Sequence, residues 1–177
     1  MFTYDPENFP DLPKLVNTLR TQNRQFFTIL DPVVAVNSSL IQEVQDQFPG
    51  YDMLESGNQA DIWVKDAAND TLLGEVWAGP SAFPDFTNPA SQSWWSRWIN
   101  FYRALSAGTG TMDVRALWLD MSEPSSFTPG VCGKNQWNYP PYVPHVAGAE
   151  KDGSLLSKTL CMDAQLHWGR HYDVHSL

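Results

Sequence analysis

Two short apolar runs, each ending at an aspartate, constrain the fold of this chain more than any other feature. Residues 25–30 lead into Asp31, and residues 114–119 lead into Asp120. Neither run has the three- and four-residue spacing of an amphipathic helix. Short continuous apolar segments of this kind predict strands that are buried on both faces of a sheet. The chain is therefore predicted to contain at least two interior strands with an acidic residue at the end of each.

An amphipathic helix is predicted before each strand. Apolar residues recur at helical spacing over residues 11–22, and again from Ser91, the predicted N-cap, to Leu105. The order helix, strand, helix, strand predicts an α/β fold with parallel strands joined by right-handed crossovers. Reactive groups in such folds gather at the carboxyl ends of the strands, so both aspartates are expected to face one mouth. The simpler alternative is that each aspartate only starts a turn before the proline that follows it.

The remaining chain is predicted to be mostly irregular. Residues 32–90 are predicted to form an inserted subdomain or long loop, with strand-like pieces at 61–64 and 73–77. Residues 121–170 are predicted to form a long loop, because they are rich in Pro, Gly, Ser and Asn. No apolar run approaches the roughly 18 residues of a membrane span, and residues 1–10 lack the features of an export signal. The 177 residues have the length of one ordinary domain.

Composition limits the class of ligand. Eleven Lys and Arg stand against twenty Asp and Glu, a net charge of −9, which would repel a phosphate backbone and argues against nucleic acid as a partner. Eight Trp, nine Phe and six Tyr accompany the acidic residues. Aromatic faces and carboxylates together suit a sugar-binding cleft, although a tryptophan-rich core would give the same composition.

The sequence around Asp120 resembles a known family. Residues 118–127 read Trp-Leu-Asp-Met-Ser-Glu-Pro-Ser-Ser-Phe, which is similar to the nucleophile signature of the α-glucosidases of glycoside hydrolase family 31. Further pieces resemble the animal branch of that family and occur in its order: residues 2–5, 29–32, 74–77, 83–89, 94–95, 140–142, 158–163 and 171–177. The resemblance covers nearly the whole chain. Three residues depart from the family pattern: Ala78, Ser122 and Ser176. Ser122 lies two residues after Asp120 within the signature itself.

The resemblance implies part of a (β/α)8 TIM barrel, with about two βα units, and a retaining hydrolysis of terminal α-1,4-linked glucose from maltose, starch or glycogen ends. Asp120 matches the nucleophile, and a second carboxylic acid is required roughly 5–5.5 Å away. No metal or organic cofactor is implied, since two carboxylates suffice. The positions that match the substrate-binding wall are Ile29, Asp31, Trp77, Trp118, Met121 and Phe127; core packing is the alternative for the two tryptophans.

The proton donor implied by the resemblance has no match in this chain, because in the family it lies downstream of the block similar to residues 171–177. Glu123 is expected to support the loop after Asp120 rather than to donate the proton. We therefore expect the isolated chain not to hydrolyse maltose. We also expect it to be a slice of a barrel, prone to aggregate, whose natural partner is the remainder of the same barrel.

The resemblance also implies a disulfide, since secreted members of the family pair cysteines at places matching Cys132 and Cys161; two free buried thiols are the alternative. Asn37 and Asn69 begin glycosylation sequons in predicted loops. Together these features predict a parent protein of the secretory pathway, either extracellular and anchored at the apical membrane or lysosomal.

Two rival interpretations remain. His167, His171 and His175 are spaced by four residues and, with Cys161, could form a zinc-binding module. The aromatic content and the missing proton donor also fit a non-catalytic carbohydrate-binding remnant.

Overall fold

The computed structural model describes residues 1–107, 110–142 and 158–169. In these residues four helices and seven short strands alternate along the chain. In order they are α1 (Leu12–Thr21), β1 (Phe27–Leu30), β2 (Val34–Ala35), α2 (Ser38–Gln47), α3 (Met53–Ala60), β3 (Leu73–Val76), β4 (Gly79–Ala82), α4 (Pro89–Ala104), β5 (Ser106–Ala107), β6 (Gly110–Thr111) and β7 (Ala116–Leu119).

The two predicted interior strands pair with each other. β1 and β7 run parallel, in a register that places Phe27 beside Ala116 and Leu30 beside Leu119. Each observed strand begins two residues later than predicted. The prediction that both strands are buried on both faces is wrong for the described residues, since Ile29 and Trp118 are each more than half exposed. The prediction of parallel strands is confirmed, and in the described part of the chain they form a two-stranded sheet and no closed barrel. The fold is thus an open piece of a parallel α/β structure.

The helix before each strand is also present, but the predicted cap of α4 is wrong. The helix begins at Pro89, and the side chain of Asn88 accepts a hydrogen bond from the Ala90 backbone N–H. Ser91 instead lies fully buried inside the helix, where its hydroxyl donates to the Asp85 carbonyl at 2.6 Å. An asparagine followed by proline is a strong start signal, because asparagine accepts from the free N–H groups and proline has none to satisfy.

The prediction that residues 32–90 are mostly irregular is wrong. This region contains α2 and α3, and a three-stranded antiparallel sheet in the order β2-β4-β3. The piece 61–64 is not a strand, since Trp63 forms only an isolated bridge with Pro84. The piece 73–77 is a strand, which ends at Val76. Asn37 caps α2 by accepting from the backbone N–H groups of Ser39 and Leu40.

Two hydrophobic clusters hold these elements together. The first contains the buried face of α4, formed by Trp94, Trp98 and Tyr102, and packs it against α1, β1 and the segment around α3. The indoles of Trp63 and Trp94 meet edge to face at 5.5 Å. The second cluster packs the antiparallel sheet against residues 160–166. The predicted long loop therefore returns to the 32–90 region and covers its sheet.

The described parts of residues 121–170 contain isolated bridges, such as Ser125 with Thr159, but no named helix or strand. None of the helices in the described ranges is long and apolar enough to cross a membrane.

Candidate active site

Both predicted acidic residues lie at the same edge of the parallel sheet. The last paired residues are Leu30 and Leu119, and the Asp120 N–H donates to the Leu30 carbonyl at 3.4 Å. Asp31 and Asp120 therefore follow directly at neighbouring strand ends. The prediction that the two aspartates follow neighbouring parallel strands agrees with this register.

One face of this strand pair carries Ile29 and Trp118, and Asp31 and Asp120 follow directly after the two strands. Ile29 stands beside Trp118 in the register, and side chains two residues apart along a strand share a face, so Asp31 and Asp120 extend the same rows. Ile29 is 53% exposed and Trp118 is 58% exposed. This open face is consequently apolar within the sheet and acidic at its carboxyl edge.

At this edge the pKa of the Asp31 carboxyl depends on its burial and on the charge of Asp120. Partial burial raises the pKa of the Asp31 carboxyl above its usual value, and the negative charge of Asp120 raises it further. Asp120 itself is exposed, and its Oδ1 accepts a hydrogen bond from the Met121 N–H at 2.9 Å. Asp120 thus presents its carboxyl group to solvent, beside an Asp31 carboxyl whose pKa is raised.

The chain turns sharply after Asp120. Met121 adopts a left-handed conformation with φ of 57°, which is costly for a residue with a side chain. The Ser125 N–H donates back to the Met121 carbonyl at 3.1 Å and closes the turn. Residues 121–127 form what we call the acidic-edge loop. Strain at the first residue of such a loop is common where a reactive group must be held in place.

Trp77 and Phe127 form an aromatic pair, the aromatic wall, on the 32–90 side of this loop. Their ring centroids lie 4.9 Å apart at 79°. Trp77 is 80% exposed and Trp118 is 58% exposed, so neither ring is packed in the core that the described residues form. The ammonium group of Lys158, which the sequence did not single out, lies 5.4 Å from the centre of the Phe127 ring.

Glu123 is exposed on the same loop and precedes a cis peptide bond to Pro124. Ser122, the position that departs from the family signature, is also exposed. Ser126, by contrast, is completely buried although its neighbours are not. Sequence inspection missed Ser126, because a serine in a loop gives no sign that the structure will enclose it.

The predicted disulfide is present. Cys132 and Cys161 are bonded, with their Cα atoms 5.5 Å apart, and there is no free cysteine in the described residues. The rival zinc site is wrong in its use of Cys161, whose sulfur is not available as a thiolate. His167 is described, whereas His171 and His175, like Ser176, lie outside the described residues. In the described ranges no three acidic, histidine or cysteine side chains come together as a metal site would require.

Both sequon asparagines are exposed. Asn69 lies in a turn with φ of 70°, which agrees with the prediction that its sequon is in a loop. Asn37 is instead the N-cap of α2, with its amide oxygen engaged in the cap. The amide nitrogen, which carries the sugar in a glycosylated asparagine, is not the atom that forms the cap.

Several known proteins resemble this chain along nearly its whole length. A model of the glycosyl hydrolases family 31 TIM-barrel domain matches residues 1–177. The chain is 37% identical to intestinal sucrase-isomaltase of Oryctolagus cuniculus, over 99% of this chain and 9% of that protein. It is 31% identical to lysosomal alpha-glucosidase of Mus musculus, over 99% of this chain and 17% of that protein.

A solved structure of the glucosidase II alpha subunit with bound DNJ has the same fold. It gives a TM-score of 0.65 at 25% identity, over 99% of this chain and 15% of that one. The chain thus spans less than a fifth of each of these relatives. Because the family model matches all 177 residues, the chain belongs to glycosyl hydrolase family 31 and forms part of its TIM-barrel domain.

Proposed function

We propose that this chain supplies the nucleophile side of a retaining α-glucosidase site. Asp120 attacks the anomeric carbon of a terminal α-1,4-linked glucose and forms a glycosyl ester, while an acid protonates the departing oxygen; water then hydrolyses the ester. The observation that carries the proposal is the exposed Asp120 carboxylate at a parallel strand end, beside Asp31 and on the same face as Trp118.

The other exposed groups fit a glucose-binding wall. Asp31 suits the role of a hydrogen-bond partner for sugar hydroxyls, since a carboxyl with a raised pKa can accept or, at low pH, donate. Exposed aromatic rings offer faces for the apolar side of the sugar ring. The remaining wall positions in the proposal are Ile29, Trp77, Trp118, Met121 and Phe127, with Glu123 supporting the loop.

The proton donor is proposed to come from the remainder of the same barrel. Ile29 and Trp118 are each more than half exposed on β1 and β7, although strands of a barrel are normally covered on both faces. The remaining strands would cover this face and complete the site. On this proposal the 177 residues alone do not hydrolyse maltose.

The substrates proposed for the completed barrel are maltose-type α-glucosides, including starch or glycogen ends. The disulfide and the exposed sequons support a parent protein of the secretory pathway. The names of the relatives, one intestinal and one lysosomal, agree with that compartment. The net charge of −9 argues against nucleic acid as an additional partner.

A chimera tests this proposal. The matching segment of Mus musculus lysosomal alpha-glucosidase is replaced by this chain, and maltose hydrolysis is measured for the chimera, for its Asp120→Asn variant and for the isolated chain. Of these three proteins, we expect only the chimera with Asp120 intact to hydrolyse maltose. Turnover by the isolated chain that Asp120→Asn abolishes would contradict the need for an outside proton donor.

The isolated chain provides a second measurement that does not depend on the chimera folding. Maltose is titrated into the chain, and the chain is separately treated with 5-fluoro-α-glucosyl fluoride, a reagent that traps the nucleophile of retaining α-glucosidases. Labelling of Asp120 supports the proposal. Maltose binding without any labelling, together with an inactive chimera, would instead favour a non-catalytic carbohydrate-binding remnant.

A further inference from the structure

Ser126 is the one buried residue in an otherwise accessible acidic-edge loop. Its side chain is fully enclosed, although Phe127 beside it is 37% exposed. The Ser126 hydroxyl accepts a hydrogen bond from the Glu75 N–H at 3.0 Å and donates to the Thr128 carbonyl at 2.6 Å. A buried hydroxyl that both accepts and donates in this way fixes its backbone on either side.

Two backbone hydrogen bonds complete the attachment. The Phe127 N–H donates to the Glu75 carbonyl at 2.8 Å, so Glu75 in β3 is bound by two consecutive loop residues. On the opposite side, the Ser126 N–H donates to the Lys158 carbonyl at 3.0 Å. Residues 126 and 127 are thereby held between β3 and the returning segment at residue 158.

The space that Ser126 occupies depends on Gly74. A Cβ atom at position 74 would lie 2.8 Å from side-chain atoms of both Leu160 and Phe83, and closer still to the Ser126 hydroxyl oxygen. Such distances are well inside van der Waals contact, so any larger residue at 74 must displace its neighbours. The close approach of β3 to the loop therefore requires glycine at this point.

The aromatic wall is assembled by this attachment. Trp77 follows Glu75 by two residues at the end of β3, and Phe127 follows Ser126 directly. Their edge-to-face contact at 4.9 Å joins one ring from each side of the attachment. Because both rings are substantially exposed, burial alone does not fix their relative position. The hydrogen bonds of Ser126, together with the backbone bond between Phe127 and Glu75, hold the two backbones in register.

We propose that Ser126 is a positioning residue for sugar binding: through Glu75 it sets Phe127 against Trp77 and so shapes the wall of the site. The role in sugar binding rests on the proposed function, whereas the role in the geometry of the wall does not. Ser126 touches no reacting atom in this proposal and acts only through the two aromatic rings.

Fluorine NMR of the 177-residue chain labelled with 5-fluorotryptophan tests the geometry without any sugar. The signal of Trp77 is assigned as the one missing from Trp77→Phe, and the signal of the buried Trp98 serves as a monitor of the core. We expect Ser126→Ala to shift the Trp77 signal and to leave the Trp98 signal in place. The matched control, Ser125→Ala, should move neither signal, because the Ser125 side chain is not part of the attachment.

Gly74→Ala is the second variant, since it crowds Ser126 from the opposite side. It should shift the Trp77 signal in its own right. If Trp77 keeps its wild-type signal in both variants while Trp98 shows a folded core, the inference is overturned. A Trp98 signal that moves together with Trp77 in both variants would equally overturn it, because Ser126 would then support the whole core.

The consequence for sugar binding is measured in the chimera. There Ser126→Ala should raise KM for maltose roughly threefold to tenfold with little change in kcat, as expected for the loss of binding contacts that do not change in the transition state. An unchanged KM despite a shifted Trp77 signal would overturn the role in binding. A chimera without activity would count against the proposed function and leave the fluorine result to decide the geometry.

Discussion

Breaking the disulfide between Cys132 and Cys161 should lower the stability of the chain by an amount set mainly by the loop that it closes. The two cysteines are 29 residues apart in the sequence. In the chain-entropy model, a cross-link closing a loop of that size contributes about 3.6 kcal/mol by restricting the unfolded state. The bridge ties the segment after the acidic-edge loop to the cluster that covers the antiparallel sheet.

Two perturbations separate the cross-link from the packing of its sulfur atoms. Reduction of the wild-type chain removes the cross-link and keeps both sulfurs. Substitution of both cysteines by alanine also removes the Cys161 sulfur, which is 1% exposed, and should cost about 1 kcal/mol more. The difference between the two perturbations therefore measures the packing contribution alone.

The assay is urea unfolding followed by tryptophan fluorescence at low protein concentration. With a denaturant dependence of about 2 kcal/mol/M, the loss of the cross-link should lower the midpoint by about 1.8 M. A reduced chain that unfolds at the same urea concentration as the oxidised chain would refute this reasoning. So would alkylation of both cysteines without prior reduction, since the bridge would then not exist in the protein.

Three further results are expected. Asp31→Asn should raise the urea midpoint at neutral pH, because the raised pKa means that ionised Asp31 destabilises the folded state. This gain should disappear as the pH falls well below 3.8, the ordinary pKa of the carboxyl, where wild-type Asp31 is protonated in both states; a gain that persists in acid would contradict it. Trp98→Ala should cost about 3–5 kcal/mol because the indole is fully buried, whereas Trp77→Ala should cost about 1 kcal/mol or less, and equal costs in urea unfolding would be inconsistent with the burial. Phe27→Lys with Leu119→Lys should reduce self-association in gel filtration, since both side chains are more than half exposed on the open strands; a wild-type chain that elutes as a monomer at all concentrations would refute this.

The parallel strands and their acidic ends could be predicted from sequence because a local pattern encodes them. Apolar runs too short for a helix, each stopping at an aspartate, leave few alternatives to strands, although the same runs do not predict the observed exposure of Ile29 and Trp118. The convergence of Asp31 and Asp120 then follows from the direction of the strands. The family signature supplied the disulfide, which no spacing rule could have assigned.

The helices of residues 32–90 could not be predicted in the same way. α2 carries Leu40, Ile41 and Val44 at helical spacing after its capping residue Asn37, but none of its residues is buried, and the prediction missed this short stripe. α3 contains Gly57, which ordinarily disfavours a helix. A Cβ atom there would overlap the Trp63 indole, so the packing of Trp63 selects glycine against its propensity. That contact is visible only in the folded chain.

The site shows the same division between local pattern and tertiary contact. Exposed Trp77 and Phe127 were recognised as candidate wall residues, but their contact and the attachment through Ser126 depend on β3 meeting the acidic-edge loop. These segments are separated by 51 residues in the sequence. No pattern within either segment specifies that they meet.

The most direct test of the account is to identify the residue that becomes glycosylated. The chimera is incubated with 5-fluoro-α-glucosyl fluoride, digested and sequenced by mass spectrometry, with Asp120→Asn and Asp31→Asn as matched variants. We expect a single glycosyl ester on Asp120, retained in Asp31→Asn and absent from Asp120→Asn, with maltose turnover by Asp120→Asn lowered on the order of 10³-fold or more. A label on any other residue, or undiminished turnover by Asp120→Asn, would contradict the assignment of Asp120 as the nucleophile.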